Sequence, residues 1–366
     1  MLAGSRLPAG IATPATVVFA DRMERNLAGM AAFASAAGLA LRPHAKTHKC
    51  VQIAQRQLAL GARGLCVATV GEAEALTGGP RASEQLDPDD VFIAYPVWAE
   101  GDVIGRLARL ADHALVTVGT DSPEAAGRLA PLAGRVRVMV ELDCGLRRSG
   151  VTAENAVGVA HAVQRAGLEL AGIFTFPGHS YAPGAAAGAA GDEARTLTKG
   201  AEILAAAGFG GLERSGGSTP SARLAHPDAL TELRPGVYVF NDAMQVELGT
   251  VAMDDVALIV AATVVSRPAP GRLVLNAGSK VLGPDRPAWT TGQGRLADWP
   301  QARITGLWEH HAVVTLEDEP GPALGEVVAV VPNHACTAVN LVPELLVLDG
   351  DQIADRWPVA ARAANR

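Results

Sequence analysis

Short apolar runs alternate regularly with longer helical segments along the first two thirds of the chain. The runs are rich in Val, Ile, Leu or Phe, and the Ala- and Leu-rich segments between them have a helical period. Such alternation is typical of a parallel sheet whose crossovers are helices. The candidate strands are residues 41–46, 64–69, 91–95, 114–118, 136–142, 171–176, 212–216 and 237–240.

Eight such units in about 200 residues match the count and size of a closed (β/α)8 barrel. We therefore predict an α/β protein with a TIM barrel over residues 16–248, and an open doubly wound sheet is the competing fold. Beyond residue 250, Gly and Pro rather than helices separate the apolar runs. This predicts an all-β domain over residues 249–366, to which residues 1–15 add an edge strand.

Composition excludes several classes of function. The net charge is −7, and no Lys/Arg block stands out beyond residues 42–49, so nucleic acid is not an expected partner. The sequence has neither the apolar run of a signal peptide at its start nor a run long enough to span a bilayer. Its four cysteines lie far apart, as in proteins of reducing compartments. We expect a cytoplasmic protein without a membrane partner.

Polar residues collect where the predicted strands end, which is where barrel enzymes carry their functional side chains. Any one of these residues can equally be a solvated loop residue, but their common position favours a site. They include His44 and Lys46 at the end of the first strand, Arg147 and Arg148 after the fifth, His179 to Tyr181 after the sixth, and Tyr238 and Asn241 at the eighth.

The segment SGGSTPS, residues 215–221, follows the seventh strand and precedes a predicted helix at 220–227. Its glycines free the backbone to aim N–H groups at a phosphate, and a helix N-terminus adds partial positive charge. A plain flexible turn is the alternative. The sequence has no nucleotide-binding glycine motif after its first strand, which argues against nucleoside triphosphates and dinucleotides.

Lys46 lies within RPHAKTHKC, residues 42–50, among Arg42, His44, His48 and Lys49. Neighbouring cations and partial burial favour the neutral amine of a lysine, which is its nucleophilic form. A Schiff base with a carbonyl compound is the natural use. Together with a monophosphate loop, this indicates pyridoxal 5′-phosphate (PLP). The alternative for Lys46 taken alone is a surface lysine in a basic loop.

Seven segments are similar in order and spacing to the D-serine dehydratase and D-threonine aldolase family of fold-type III PLP enzymes. They are RPHAKTHK, DCGLRRSG, PGHSY, SGGSTPS, ELRPGVYVFND, NAGSK and PNHAC. The resemblance runs from about residue 10 to the C-terminus. It implies a PLP barrel paired with a β domain, as in alanine racemase, and a homodimer with its sites near the subunit contact.

The resemblance also implies roles for individual residues. Lys46 matches the lysine that binds PLP, and Arg148 matches an arginine near the pyridine nitrogen. His334 and Cys336 match the ligands of a divalent metal. The other implied positions are His179 and Tyr181 beside the ring and substrate, Gly217, Ser218 and Thr219 at the phosphate, and Tyr238 and Asn241 near them.

The pair His334 and Cys336 is predicted on an extended segment, where residues two apart share a side. One imidazole and one thiolate suit zinc better than magnesium or calcium. Two ligands leave the open coordination positions that a catalytic metal requires. On the residues alone, a buried cysteine beside a histidine is the alternative reading.

The resemblance implies a lyase for 3-hydroxy-D-amino acids. Cys336 favours the dehydratases with zinc, and D-serine dehydratase first, because the aldolases more often carry aspartate there and use manganese. Lys46 would be the α-proton base in dehydration. In the alternative, a D-threonine aldolase, His179 would take the hydroxyl proton.

Two other functions compete. A non-catalytic PLP-binding protein would resemble the barrel alone, so the β domain and the His334–Cys336 pair argue against it. A racemase would need a second base, usually a tyrosine of the β domain, but no tyrosine follows Tyr238. Two departures from the family pattern, Asn276 in place of a usual aspartate and His310–His311 in EHHAVV, advise against a narrow substrate assignment.

Overall fold

The computed structural model describes residues 7–77, 90–317 and 320–366, which form two compact units. The barrel unit comprises residues 29–46, 51–236 and 364–366. The sheet unit comprises the chain up to residue 28, residues 47–50 and residues 237–363. The domain boundaries given above stay a prediction.

The chain enters the fold through strand β1 (Ala15–Phe19) and helix α1 (Ala20–Ala36). Among the described residues up to 250, seven further helices follow, of which the last belongs to the sheet unit. The barrel strands are β2 (Ala40–Leu41), β3 (Leu65–Val67), β4 (Asp90–Pro96), β5 (Leu115–Thr120), β6 (Val136–Glu141), β7 (Glu169–Phe174), β8 (Glu213–Gly216) and β9 (Glu232–Leu233). The helices are α2 (Val51–Ala59), α3 (Val70–Leu76), α4 (Asp102–Leu110), α5 (Pro123–Arg128), α6 (Ala156–Arg165), α7 (Ala186–Ala206) and α8 (Ala243–Glu247).

Strands β2 to β9 form one parallel sheet in the order β2-β9-β8-β7-β6-β5-β4-β3. The sheet closes because the chain at and after β2 also bonds to the β3 segment. The Arg63 amide donates to the Leu41 carbonyl at 2.8 Å, and the Cys66 amide donates to the Pro43 carbonyl at 2.9 Å. The predicted α/β barrel is confirmed, and the open sheet is excluded for this unit.

The eighth strand is β9, whereas residues 237–240 were predicted to form it. Residues Val237–Val239 form a 3-10 turn instead, and their buried side chains explain the apolar pattern. Pro235 ends the pairing of β9, because proline cannot donate a ladder hydrogen bond. The apolar pattern thus predicted the correct number of barrel strands but the wrong position for the eighth.

Side chains of the barrel strands alternate between two buried layers, as expected for a closed sheet. Leu65 and Val67 on β3 belong to the layer packed with the helices, whereas Cys66 belongs to an interior cluster with Phe92 and Phe174. The two rings meet edge to face with centroids 5.1 Å apart. The barrel is therefore a filled core rather than a pore.

Charged side chains occupy the amino-terminal end of the barrel, where Asp90, Glu213 and Glu232 begin their strands. Arg42 is 2% exposed and bonds to Asp90 at 2.6 Å and to Glu232 at 2.8 Å. Further arginines with carboxylate partners lie around Arg42, Asp90 and Glu232. We call the set Arg42, Arg63, Asp90, Arg137, Glu213 and Glu232 the barrel floor.

The sheet unit is built mainly of strands, with short helices between some of them. The sheet runs β13-β14-β11-β10-β1-β16-β17, and β15 pairs with β10 and β12. Its elements after α8 are β10 (Leu258–Ala269), β11 (Arg272–Leu275), α9 (Ser279–Leu282), β12 (Arg295–Leu296), β13 (Arg303–Leu307), β14 (Ala312–Thr315), β15 (Val327–Val331), α10 (Ala335–Leu341), β16 (Glu344–Asp349) and β17 (Gln352–Pro358).

Strand β1 lies inside this sheet, antiparallel to β10 and parallel to β16. The prediction of an edge strand within residues 1–15 is therefore wrong, and residues 1–6 of that range lie outside the described residues. The sequence ATVVF explains the position, because four of its five residues are buried and a strand apolar on both faces belongs in the interior. Within the described part of the chain, no helix is both long and apolar enough to cross a membrane.

Candidate functional site

A cavity of about 500 Å³ opens at the carboxyl-terminal end of the barrel. Each lining residue lies near the end of a barrel strand or in the loop after it, as the barrel fold predicts for a functional site. The lining residues are His44, Lys46, Ala68, Ala94, Tyr95, Pro96, Asp121, Arg148, Ser149, Phe174, Phe176 and Arg234.

Lys46 and Arg148, which are far apart in sequence, meet over the ring of Phe176 in this cavity. The Lys46 Nζ atom lies 5.7 Å and the Arg148 Cζ atom 5.1 Å from the ring centroid. Lys46 follows its strand in a 3-10 turn, Ala45–Thr47, rather than lying on the strand. Sequence reasoning missed Phe176, although an aromatic residue just after β7 was a usable signal.

The cationic residues that line the cavity with Lys46 are mostly not the predicted ones, because Arg148 and Arg234 line it instead of Arg42, His48 and Lys49. Arg42 belongs to the barrel floor, at the opposite end of the strands from the cavity. In the sheet unit, the His48 ring accepts the Cys50 amide, and Lys49 donates to Asn340 at 2.7 Å. Of the predicted neighbours, His44 alone lines the cavity. Lys49 has a left-handed backbone conformation, at φ 53°.

The loop DCGLRRSG is folded tightly so that Arg148 lines the cavity. One oxygen of Asp143 accepts the amides of Gly145 and Arg147, at 2.9 and 3.0 Å. Asp121 accepts the Gly150 amide at 3.1 Å, which fixes the other side of the loop. Such side-chain to backbone bonds are the usual way in which aspartate stabilises turns.

Two buried residues near this loop were not found from the sequence. Burial raises the pKa of Glu141, against a hydrogen bond from Ser149 and the charge of Arg148. Arg234 lines the cavity, donates to the Ser215 hydroxyl at 2.7 Å, and lies over two rings of the interior cluster at 5.3 and 5.4 Å. Its place in ELRPG, a motif used for the resemblance, was an available signal.

His179 and Tyr181 follow β7 but do not line the cavity. His179 lies in a 3-10 turn, Gly178–Ser180, and its Nε2 atom is 3.2 Å from Asp192 of α7. Its ring packs against Gly145, where a Cβ atom would come within 3.2 Å of the imidazole. Tyr181 is half-buried. The ring-side and substrate-side roles of these two residues stay predictions.

Gly217, Ser218 and Thr219 form a buried loop after β8. The Ser218 hydroxyl lies 2.7 Å from that of Ser180 and 2.8 Å from that of Ser221, so three hydroxyls gather there. The Gly217 amide already donates to Glu193 at 2.8 Å. A group of hydroxyls in a glycine-rich loop suits the phosphate of PLP. The rest of the cofactor would then have to occupy the cavity that contains Lys46.

The helix predicted at 220–227 is only a 3-10 turn, Ala222–Leu224. The helix-dipole part of the phosphate argument is therefore wrong, because one turn carries little aligned dipole. Tyr238 and Asn241 belong to the sheet unit. Tyr238 is buried, and Asn241, at φ 54°, donates to the Asp255 carbonyl at 3.1 Å. Their proximity to the phosphate stays a prediction.

The sheet unit brings His334 and Cys336 together, but not on an extended segment. His334 is extended, whereas Cys336 lies in the first turn of α10. The His334 Nδ1 atom is 2.8 Å from Asp285, whose carboxylate also accepts the Thr337 hydroxyl at 2.5 Å. The Cys336 thiol donates to Thr47 at 3.2 Å.

The pKa values of His334 and Asp285 are shifted by the contacts within this group. The hydrogen bond from His334 lowers the pKa of Asp285. Burial lowers the pKa of His334, but Cys336 and Asp285 act more strongly together and the net direction is upward. A histidine held at Nδ1 by a carboxylate presents Nε2 to a metal, and nitrogen with sulfur suits zinc. No group of three or more His, Cys, Asp or Glu residues is gathered for a metal among the described residues.

Asn276, one of the departures from the family pattern, has a structural role in the sheet unit. Its side chain accepts the Thr263 amide at 2.8 Å and donates to the Thr13 hydroxyl at 3.0 Å. An aspartate would lack the N–H donor that bonds to Thr13. His310 and His311 are exposed in the turn between β13 and β14.

The barrel with its lysine-containing cavity and the accompanying sheet unit define a chain of the alanine racemase type. Residues 18–243 match the family described as alanine racemase, N-terminal domain. Residues 257–348 match the putative serine dehydratase domain.

Relatives with named activities extend over nearly the whole chain. A D-threonine aldolase of Arthrobacter sp. is 33% identical, covering 98% of this chain and 94% of the relative. A D-threo-3-hydroxyaspartate dehydratase of Delftia sp. is 32% identical, covering 94% and 96%. The chain therefore belongs to the D-serine dehydratase and D-threonine aldolase family of fold-type III PLP enzymes.

Solved structures of D-threo-3-hydroxyaspartate dehydratase variants share this fold. In one of them a histidine is replaced by alanine, and in another the cysteine two positions further along is replaced by alanine. They superpose with TM-scores of 0.86 and 0.85 at 31% and 32% identity, covering 97% and 95% of this chain and 96% and 97% of theirs. The structure of the cysteine variant is in the metal-free form.

Proposed function

We propose that this protein is a PLP- and divalent metal-dependent lyase that dehydrates a 3-hydroxy-D-amino acid to a keto acid and ammonia. The His334–Cys336 pair is the observation that favours dehydration over retro-aldol cleavage, because a nitrogen and sulfur donor set is that of a zinc site. The spacing of this pair equals that of the two residues replaced in the dehydratase variants. D-serine is the first candidate substrate, and D-threo-3-hydroxyaspartate the second.

Lys46 is the residue that we assign to PLP and to the α-proton. PLP, when bound, stabilises negative charge at the α-carbon of an amino acid. The Lys46 amine is also the proposed base that would take the α-proton. Arg148 lies near the same Phe176 ring as Lys46, which supports the proposal that its guanidinium lies beside the pyridine nitrogen of the cofactor.

His334 and Cys336 are the proposed ligands of a zinc ion, with manganese as the alternative metal. A bound metal acts as a Lewis acid and weakens the bond to a departing hydroxide. Asp285 would orient the His334 ring. Asp285→Asn should therefore weaken metal affinity about 10–100-fold while PLP binding persists. Thr337→Val, which removes the other donor to that carboxylate, is the matched control and should change metal affinity less.

Retro-aldol cleavage to glycine and an aldehyde is the second candidate. The whole-length match to D-threonine aldolase favours it, as does the contact of His179 with Asp192. A carboxylate beside an imidazole can orient the ring and fix its tautomer, as a group that takes a hydroxyl proton requires. A non-catalytic PLP-binding protein is a weaker candidate, because residues 257–348 match the serine dehydratase domain as well.

The decisive test is an assay with D-serine, D-threonine and D-threo-3-hydroxyaspartate, with zinc or manganese added and ammonia and aldehyde scored separately. Ammonia and keto acid without aldehyde support dehydration. Aldehyde without ammonia from every substrate would make the protein an aldolase. PLP binding with neither product would favour the binding protein. Sedimentation of the holoprotein tests the homodimer that we also propose.

A further inference from the structure

A fully buried carboxyl group lies against the SGGST loop, residues 215–219. Glu193 projects from α7 and is 1% exposed. Its Oε1 atom accepts the Thr175 hydroxyl and the Gly217 amide, each at 2.8 Å. Its Oε2 atom is buried and has no hydrogen-bond partner among the described residues. One oxygen thus joins the end of β7 to the loop after β8, while the other oxygen remains unsatisfied.

The glycines of this loop are fitted to that carboxyl group. A Cβ atom on Gly216 would lie 2.3 Å from the Glu193 Oε1 atom, so the carboxyl fills the space of a side chain. Gly217 has φ of +89°, a backbone conformation that favours glycine. The position of the loop therefore depends on Glu193 as well as on its own sequence.

An ionised Glu193 would oppose the proposed phosphate. Two negative groups in a buried region repel strongly, because the effective dielectric constant there is low. The charged and titratable groups that act on Glu193 are the Arg234 guanidinium and the Cys144 thiol. Side chains of the neighbouring elements have partners elsewhere, namely Arg223 over Phe33, His161 against Phe209, and His179 with Asp192.

The carboxyl group is poised to carry a proton near neutral pH. Burial raises the pKa of Glu193 to about 7, against the hydrogen bonds from Gly217 and Thr175 and the charge of Arg234. A proton on Oε2 leaves Oε1 as the acceptor for both of its donors. It also removes the negative charge beside the hydroxyls of Ser180 and Ser218.

We propose that Glu193 is a positioning residue for the cofactor phosphate, which holds the SGGST loop through Oε1 and takes up a proton on Oε2 when the phosphate binds. The inference rests on the proposed function, in that the phosphate belongs to PLP. By linkage, a group that gains a proton on binding makes the affinity fall as pH rises above its pKa in the free protein. The limit is about tenfold per pH unit for one proton.

The test is the dissociation constant of PLP for the apoprotein, measured by visible absorbance from about pH 6 to about pH 9, in the wild type and in Glu193→Gln. The glutamine keeps the Oε1 acceptor and replaces the protonated oxygen by an amide. Above neutral pH, the PLP affinity of the wild type should fall more steeply with pH than that of the variant. The difference should be up to about tenfold per pH unit. Parallel curves would overturn the proposal.

Pyridoxal, which lacks the phosphate, supplies the matched ligand. The difference between wild type and Glu193→Gln should vanish with pyridoxal, and a difference of the same size would contradict the phosphate link. If the variant does not fold, calorimetry of the wild type in two buffers of different ionisation enthalpy replaces it. PLP should then take up more protons than pyridoxal above neutral pH, and equal uptake would refute the proposal. A wild type that binds no PLP would instead refute the proposed function.

Discussion

Both ends of the barrel contain arginines, but the partners of these arginines differ between the two ends. At the barrel floor, Arg42 is sealed between Asp90 and Glu232 and is 2% exposed. At the cavity, Lys46, Arg148 and Arg234 lie over aromatic rings and, among the described residues, form no ion pair with a carboxylate. The cations at the floor are therefore paired with buried carboxylates, whereas Lys46 and Arg148 at the cavity have no carboxylate partner among the described residues and Arg234 donates to the Ser215 hydroxyl and the Thr175 carbonyl.

This contrast separates structural charges from functional charges. A buried ion pair satisfies itself, and removing either partner leaves an uncompensated charge in the core. A cation without such a partner can bind the carboxylate or phosphate of a ligand. Substitutions at the floor should therefore act on folding, and substitutions at the cavity should act on ligand binding and reaction.

The largest effect is expected at the cavity, from Lys46→Ala. The variant should lose the visible absorbance of bound PLP and about 10²–10⁴-fold in activity, with thermal stability little changed. The sequence contains only four lysines, so borohydride reduction and peptide mapping can place the cofactor. Label on Lys49, Lys199 or Lys280 in place of Lys46 would show that the site assignment is wrong.

Arg42→Met tests the floor. The change leaves Asp90 and Glu232 without their closest partner, and we expect the free energy of unfolding to fall by about 3–5 kcal/mol. Chemical denaturation measures it. PLP affinity per folded molecule should stay unchanged. A loss of affinity with intact stability would mean that the two ends are not separable.

The ionisation of Glu193, near the cavity, should make the free energy of unfolding depend on pH. The folded protein holds this proton up to about pH 7, whereas an unfolded glutamate loses it near 4.5, so the folded state binds more protons between those values. The stability of the apoprotein should fall as pH rises through this window, by up to a few kcal/mol, and then level off. In Glu193→Gln this component of the slope should disappear. An unchanged slope would show that Glu193 is ionised in the fold.

Arg63→Ala should give the smallest effect. This floor residue is 38% exposed and bonds to Glu213 at 2.6 Å, so water screens the pair. We expect the free energy of unfolding to change by no more than about 1 kcal/mol. A loss as large as that of Arg42→Met would make the floor one cooperative network rather than a buried pair with an exposed rim.

The sequence predicted the parts of the structure that local pattern determines. Strands β3 to β8 lie at or near their predicted positions because apolar runs of that length have few other uses in such a fold. Lys46 and Arg148 line one cavity as expected for two residues at strand ends. The misplaced eighth strand shows the limit, because a buried 3-10 turn and a short strand share the same apolar pattern.

Features that depend on distant partners were not predictable. Arg42 lies four residues before Lys46, but its partners are 48 and 190 residues away, and they draw it to the other end of the barrel. Cys336 reaches His334 through a helix start rather than through strand alternation. Glu193 gave no signal, because a glutamate in an alanine-rich helix is usually a solvated residue.

Helix α7 places two adjacent carboxylates toward different targets, Asp192 toward His179 and Glu193 toward Gly217. Successive residues of a helix are rotated by about 100° around its axis, so the length of the preceding run fixes which way each one faces. That run, AAGAAG at residues 186–191, has almost no side chains of its own. The length of this run, rather than its side chains, therefore sets the direction of the two carboxylates. It should tolerate Ala-to-Ser exchange on its exposed face, but the loss of one residue would turn both carboxylates away from their partners.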